Sequence, residues 1–95
     1  MALPAGIKVS HKTSSALVFT GNCKLWGWSI KATGANAEAT LWDNTSAATT
    51  TIEIMGAATD NDSARTMLAK PLDVATGLYL TLANCVGSVY YEEPV

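Results

Sequence analysis

The 95-residue sequence predicts an all-β fold, an antiparallel β-sandwich or jelly roll of about eight short strands, as a single domain over 1–95. Three observations carry this. Leu78, Leu80 and Leu82 alternate strictly with Tyr79, Thr81 and Ala83, the period of a strand with one buried face. Thr49, Thr50, Thr51, Ile52 and Ile54 form a β-branched run that is stiff at χ1 and disfavours helix. Polar turn clusters recur between such runs: Gly21-Asn22, Thr33-Gly-Ala-Asn36, Asp43-Asn-Thr-Ser46 and the stretch 56–63.

Residues 1–6 read as a flexible arm, because Pro4 and Gly6 oppose regular structure. Residues 7–10 suit a short edge strand, 11–15 a loop, and 16–20 a strand around Leu17, Val18 and Phe19. The longest strand is expected over 23–33. Simple alternation puts Trp26, Trp28 and Ile30 on a core-facing wall, with Leu25, Gly27, Ser29 and Lys31 opposite. Gly27 marks a bulge or the close approach of another backbone.

Residues 37–43 read as a strand despite alanines and Glu38 that permit helix, and 48–55 as a clearer one. Residues 64–70 are ambiguous. They fit either a two-turn helix capped by Asp62 or Ser63 and stopped by Pro71, or a strand with Met67 and Ala69 on one face and Leu68 on the other. The chain is expected to close with a hairpin turning at Asn84, with Leu78, Leu80 and Leu82 in the core.

Composition narrows function. A net charge of -2 with six scattered cations provides no basic field for nucleic acid. No basic segment leads into an apolar run at the start and no eighteen-residue apolar stretch occurs, so neither a signal peptide nor a membrane span is expected. Cys23 and Cys85 lack metal-ligand or CxxC spacing and read as two buried thiols. If they paired instead, the closed loop would contribute about 4 kcal/mol on the chain-entropy model.

His11, flanked by Lys8 and Lys12, reads as a solvated side chain. No hydrolase, zincin, P-loop or dinucleotide fingerprint is present, so no enzyme activity, cofactor or metal is expected. Asp60-Asn-Asp-Ser63 lacks calcium-loop spacing and reads as a turn, and Glu92-Glu93 as a solvated tail. The aromatic residues supply the binding candidates. Trp26 and Trp28 are assigned to the core, while Trp42, Tyr79, Tyr90 and Tyr91 are candidates for a subunit interface or for stacking on a sugar ring.

Several segments in order form a pattern: 24–33 with its central Gly27, then Leu41-Trp-Asp43, then Lys70-Pro71, then Gly77-Leu-Tyr79, then Val89-Tyr-Tyr91. Over about residues 15–92 this order resembles a group of small virion structural proteins of tailed bacteriophages. The resemblance implies an all-β sandwich that self-associates, as a homotrimer, and is built into the particle as a capsid decoration (cement) or head-fibre-base protein. It further implies the major capsid protein as partner, synthesis in the host cytoplasm and a place on the capsid surface. A tail or neck component, or a module binding a host glycan through Trp42, is the alternative reading. Low charge and a core of modest size, with roughly 64 % of the chain surface buried on folding, agree with burial against neighbours.

Overall fold

The computed structural model describes residues 6–93. The expected N-terminal arm lies outside the described residues except for Gly6. Eight strands follow one another: β1 (Ile7–Lys12), β2 (Ala16–Thr20), β3 (Cys23–Ala32), β4 (Ala37–Asp43), β5 (Thr51–Ala57), β6 (Ser63–Val74), β7 (Gly77–Ala83) and β8 (Cys85–Glu92). They form two four-stranded sheets, ordered β1-β8-β3-β6 and β2-β7-β4-β5, with every pair antiparallel.

The pairing reveals how the chain is wound. β4 pairs β5, β3 pairs β6, β2 pairs β7 and β1 pairs β8, which is one long antiparallel ribbon folded at its middle and rolled into two sheets. This is jelly-roll strand order in a β-sandwich, as the spacing of strands and turns predicts.

The closing hairpin does not form. β7 lies in one sheet and β8 in the other, and the chain crosses between them at Asn84, whose φ is 58°. Asn is among the few residues that tolerate this left-handed conformation. Gly21, φ 105°, makes the matching crossing from β2 to β3. A left-handed residue beside the crossing point turns each strand out of its sheet before a two-stranded ladder can extend.

β3 also departs from simple alternation. Its register on β8 runs Leu25 to Tyr91 and then Gly27 to Tyr90, so Trp26 is the extra residue of a bulge. Cys23 and Leu25 face the core before the bulge; Trp28, Ile30 and Ala32 face it afterwards. Trp26 is half-buried on the outer side, and its indole donates to Glu92 Oε1 at 3.1 Å. Trp28, only 1 % exposed, reaches across the sandwich to donate to Glu53 Oε1 on β5 at 2.6 Å. A charge-assisted bond of this kind, linking both sheets, contributes about 1.5–3 kcal/mol.

Gly27 serves both expected purposes, bulge and close approach. A Cβ there would lie 2.6 Å from Met67 Sδ and 2.6 Å from the Thr66 carbonyl oxygen. The ambiguous stretch 64–70 is strand, part of the twelve-residue β6, with Ala64, Thr66 and Leu68 turned inward and Met67 outward. Residues 68–71 bow away from β3 opposite Trp26, and Pro71 is tolerated because β6 is a sheet edge.

β1 runs through His11 and Lys12, read above as loop, because both pair with β8. β5 starts at Thr51 rather than 48, after the turn in which Asp43 N–H donates to the Thr50 carbonyl at 2.8 Å. Leu78 and Leu80 are fully buried in the core, whereas Leu82 packs at its margin. Asp43 ties one end of the sandwich: its carboxylate accepts from the amides of Ala75 (3.1 Å), Thr76 (2.9 Å) and Gly77 (3.4 Å) in the crossing from β6 to β7.

Gly27→Ala is expected to destabilise the fold by about 1–3 kcal/mol. Combining it with Met67→Ala should not restore stability, because the Thr66 carbonyl still obstructs the new methyl group. Urea midpoints of the two variants and the unsubstituted protein check this.

Candidate functional site

The sandwich presents two outer faces, and strand register decides which side chains share each. On the β2-β7-β4-β5 sheet, Leu17 lies opposite Tyr79, Tyr79 opposite Trp42, and Trp42 opposite Thr51. These alternate with buried Leu41, Leu78 and Leu80 and therefore point outward. The next outward row is Thr81, Thr40 and Ile54. Leu17 is 40 % and Ile54 60 % exposed, and Trp42 and Tyr79 are half-buried.

The Trp42 indole N–H donates to Thr81 Oγ1 at 3.3 Å, and the Thr81 hydroxyl in turn donates to the Thr40 carbonyl at 3.4 Å. The tryptophan thus lies diagonally over the sheet with its polar atom satisfied inside the face. Neither row carries a charged side chain; Glu38 comes in the following row, opposite Ala83 and Gly56. The result is an aromatic and aliphatic surface on which a hydrogen bond within the face holds the Trp42 ring.

Of the four aromatic candidates, register joins Trp42 and Tyr79. Tyr90 sits on the opposite outer face, half-buried between Val9 of β1 and Gly27 of β3. Tyr91 is a core residue, 9 % exposed, with its ring centroid 5.6 Å from that of Phe19, so it is corrected from surface candidate to packing. Its neighbour in sequence decides this, because alternation on β8 allows only one of Tyr90 and Tyr91 to face outward. Leu17 and Ile54 were not singled out by sequence, since an isolated exposed aliphatic residue has no meaning until its cross-strand partners are known.

The titratable groups are mostly engaged. Glu92 accepts from Trp26, Glu93 pairs with Lys8 at 2.7 Å, and Lys24 pairs with Asp73 at 3.1 Å. The turn expected at Asp60-Asn-Asp-Ser63 is closed by Asp62, whose carboxylate accepts from the Thr59 amide at 3.3 Å and from its hydroxyl. His11 Nδ1 lies 2.9 Å from Ser88 Oγ, both on the surface. A hydrolytic pair of this type relies on a carboxylate to orient the ring, and among the described residues none bonds His11.

A depression of about 510 Å³ is lined by Cys23, Lys24, Asp73, Val74, Glu92 and neighbours. Its cysteine is no nucleophile at neutral pH: burial pushes the Cys23 thiol up from 9.0 to about 11, and the nearby Asp43 carboxylate adds to the shift. Burial likewise raises the Cys85 thiol. Cys23 pairs with Val74 at one end of β3 while Cys85 pairs with Ala32 at the other, about 30 Å apart along the strand. A disulfide needs Cα atoms within about 7 Å, so the two thiols cannot bridge within one chain.

The raised thiol has a pH consequence. Above 9.0 the unfolded chain releases this proton more readily than the folded one, so stability is unaffected below that pH and falls as pH rises toward 11. The slope is about 1.4 kcal/mol per pH unit for such a group. Cys23→Ala should flatten part of that decline in urea unfolding between pH 8 and 11, and thiol-reactive dye should label neither cysteine in the folded protein at pH 8.

Comparison with protein-family models, curated proteins and solved structures returns no match, so the chemistry of the two outer faces is what bears on function.

Proposed function

We propose that this chain is a non-enzymatic structural protein of a tailed-bacteriophage particle, a capsid decoration (cement) protein. In this reading it binds the assembled capsid surface as an oligomer, a homotrimer with the major capsid protein as partner, and reinforces contacts between capsomers. The observation that carries it is the uncharged outer face formed by Leu17, Tyr79, Trp42, Thr51, Thr81 and Ile54. Large amphipathic rings with aliphatic neighbours and little charge are the composition of a protein interface core.

The mechanism is linkage. A protein that binds only the assembled shell stabilises it by mass action, and repetition over a symmetric lattice turns modest single contacts into avidity. A domain of this size also benefits, because a covered face adds apolar burial to a small core. The sequence resemblance to small phage virion proteins supports the same reading.

Particles assembled with the protein should withstand heating or low salt better than particles without it. Copy number by densitometry should follow the number of capsomers rather than that of a single neck or tail ring. Trp42→Ala should weaken particle binding by about 2 kcal/mol per site, roughly 30-fold. Ile54→Lys, at a position 60 % exposed and outside the core, should do the same without lowering the unfolding midpoint. Unchanged particle resistance with the protein bound would count against the cement reading.

A further inference from the structure

The second outer face has a different chemistry. Strand register places His11, Ser88, Ser29 and Arg65 in one straight row across all four strands of the β1-β8-β3-β6 sheet. Lys31, two residues beyond Ser29 on β3, extends it on one side, opposite Val86 and Ser63. On the other side, roughly 7 Å away along the strands, runs an apolar row of Val9, Tyr90, Gly27 and Met67. Val9 is 55 % and Met67 37 % exposed.

We propose that this face is a binding site for an acidic saccharide. The carboxylate is received by Arg65, Lys31 and His11 with the Ser29 and Ser88 hydroxyls, and the sugar ring lies on Tyr90 and the adjoining apolar row. Three observations carry the assignment.

The first is charge. The polar row surrounds a shallow depression whose lining contains Lys31, Arg65, His11 and three serines, and no acid. This is notable in a chain of net charge -2. Lys8 and Lys24 are held by Glu93 and Asp73, whereas neither Arg65 nor Lys31 has an ion-pair partner among the described residues. A planar guanidinium beside hydroxyl donors is suited to a carboxylate, which it can grip through two parallel bonds.

The second is size. At about 170 Å³ the depression falls below the roughly 300–1,000 Å³ of pockets that enclose drug-sized ligands, so it holds one small charged group and leaves its carrier on the open sheet. The third is the neighbouring strip. A half-buried tyrosine ring with flanking aliphatic and thioether groups fits the C–H face of a pyranose, which is apolar on one side and hydroxylated at its rim. Nucleic acid fits less well, because a single basic row without repetition along a groove does not follow a phosphate backbone.

The site lies on the sheet opposite the proposed particle-binding face and does not depend on that reading, so it is testable on the isolated chain. The folded protein is titrated with a galacturonic-acid trisaccharide, with sialyllactose, with a neutral galactose trisaccharide and with sodium acetate, following backbone amide shifts by NMR. At least one carboxylated sugar is expected to give saturable shifts centred on Ser29, Arg65, Ser88 and Tyr90. The neutral sugar should give none, and acetate should shift the polar row alone and more weakly. Arg65→Gln and Tyr90→Ala should each weaken binding about tenfold or more while the remaining spectrum stays that of the folded protein. Absence of saturable shifts with both acidic sugars, equal binding of the neutral sugar, or full affinity in Arg65→Gln would overturn the proposal.

Discussion

The molecule depends on one inserted residue. β3 is the central strand of its sheet, paired to β8 on one side and β6 on the other, and its sequence is out of phase with a single core face. Unbroken alternation from Cys23 would bring Gly27, Ser29 and Lys31 inward and turn Trp28 and Ile30 out. An unpaired lysine in the core costs several kcal/mol, and the largest core side chain would be lost to solvent. The bulge at Trp26 removes the conflict by shifting the remainder of the strand by one position. Trp28 then spans the sandwich to Glu53, while Ser29 and Lys31 join the outer polar row. Gly27 makes this possible, since the Thr66 carbonyl occupies the space a side chain would need.

Strands were legible in the sequence where one face is buried and the period is unbroken, as in β7 with Leu78 and Leu80 or β4 with Ala39 and Leu41. The number of strands and the sandwich class follow from the same signal. Sheet membership was not legible. A short polar linker such as that at Asn84 serves equally for a hairpin or for a crossing, and the difference lies in a single backbone conformation. The bulge was foreshadowed by Gly27, yet its effect on Trp26 was not, because a glycine marks the place of an irregularity without giving its phase.

The candidate faces were legible only in part, for a related reason. Trp42 and Tyr79 draw notice singly, but their adjacency is a property of register. His11, Ser29, Arg65 and Ser88 come from four different strands and form no local motif at all. Each is ordinary alone; together they are a row of donors without a carboxylate beside it. Strand pairing thus builds two unlike surfaces from one composition, an uncharged aromatic face and a cationic, hydroxyl-rich one.

The edges of the sheets decide how such faces can be used. Four strands have an open side: β1, β6, β2 and β5. β1 carries Lys8 and Lys12, and β6 carries Lys70 with Pro71 in a stretch unpaired to β3. β2 is five residues long and bulged between Leu17 and Phe19, and β5 meets β4 through a register shift beside Trp42. Charge, proline, shortness and bulging all oppose the addition of a further strand from another chain. Recognition by backbone pairing is therefore disfavoured at each edge, and any partner would be met through side chains on the outer faces. On such a sandwich the residues that select a partner are those that register aligns across strands.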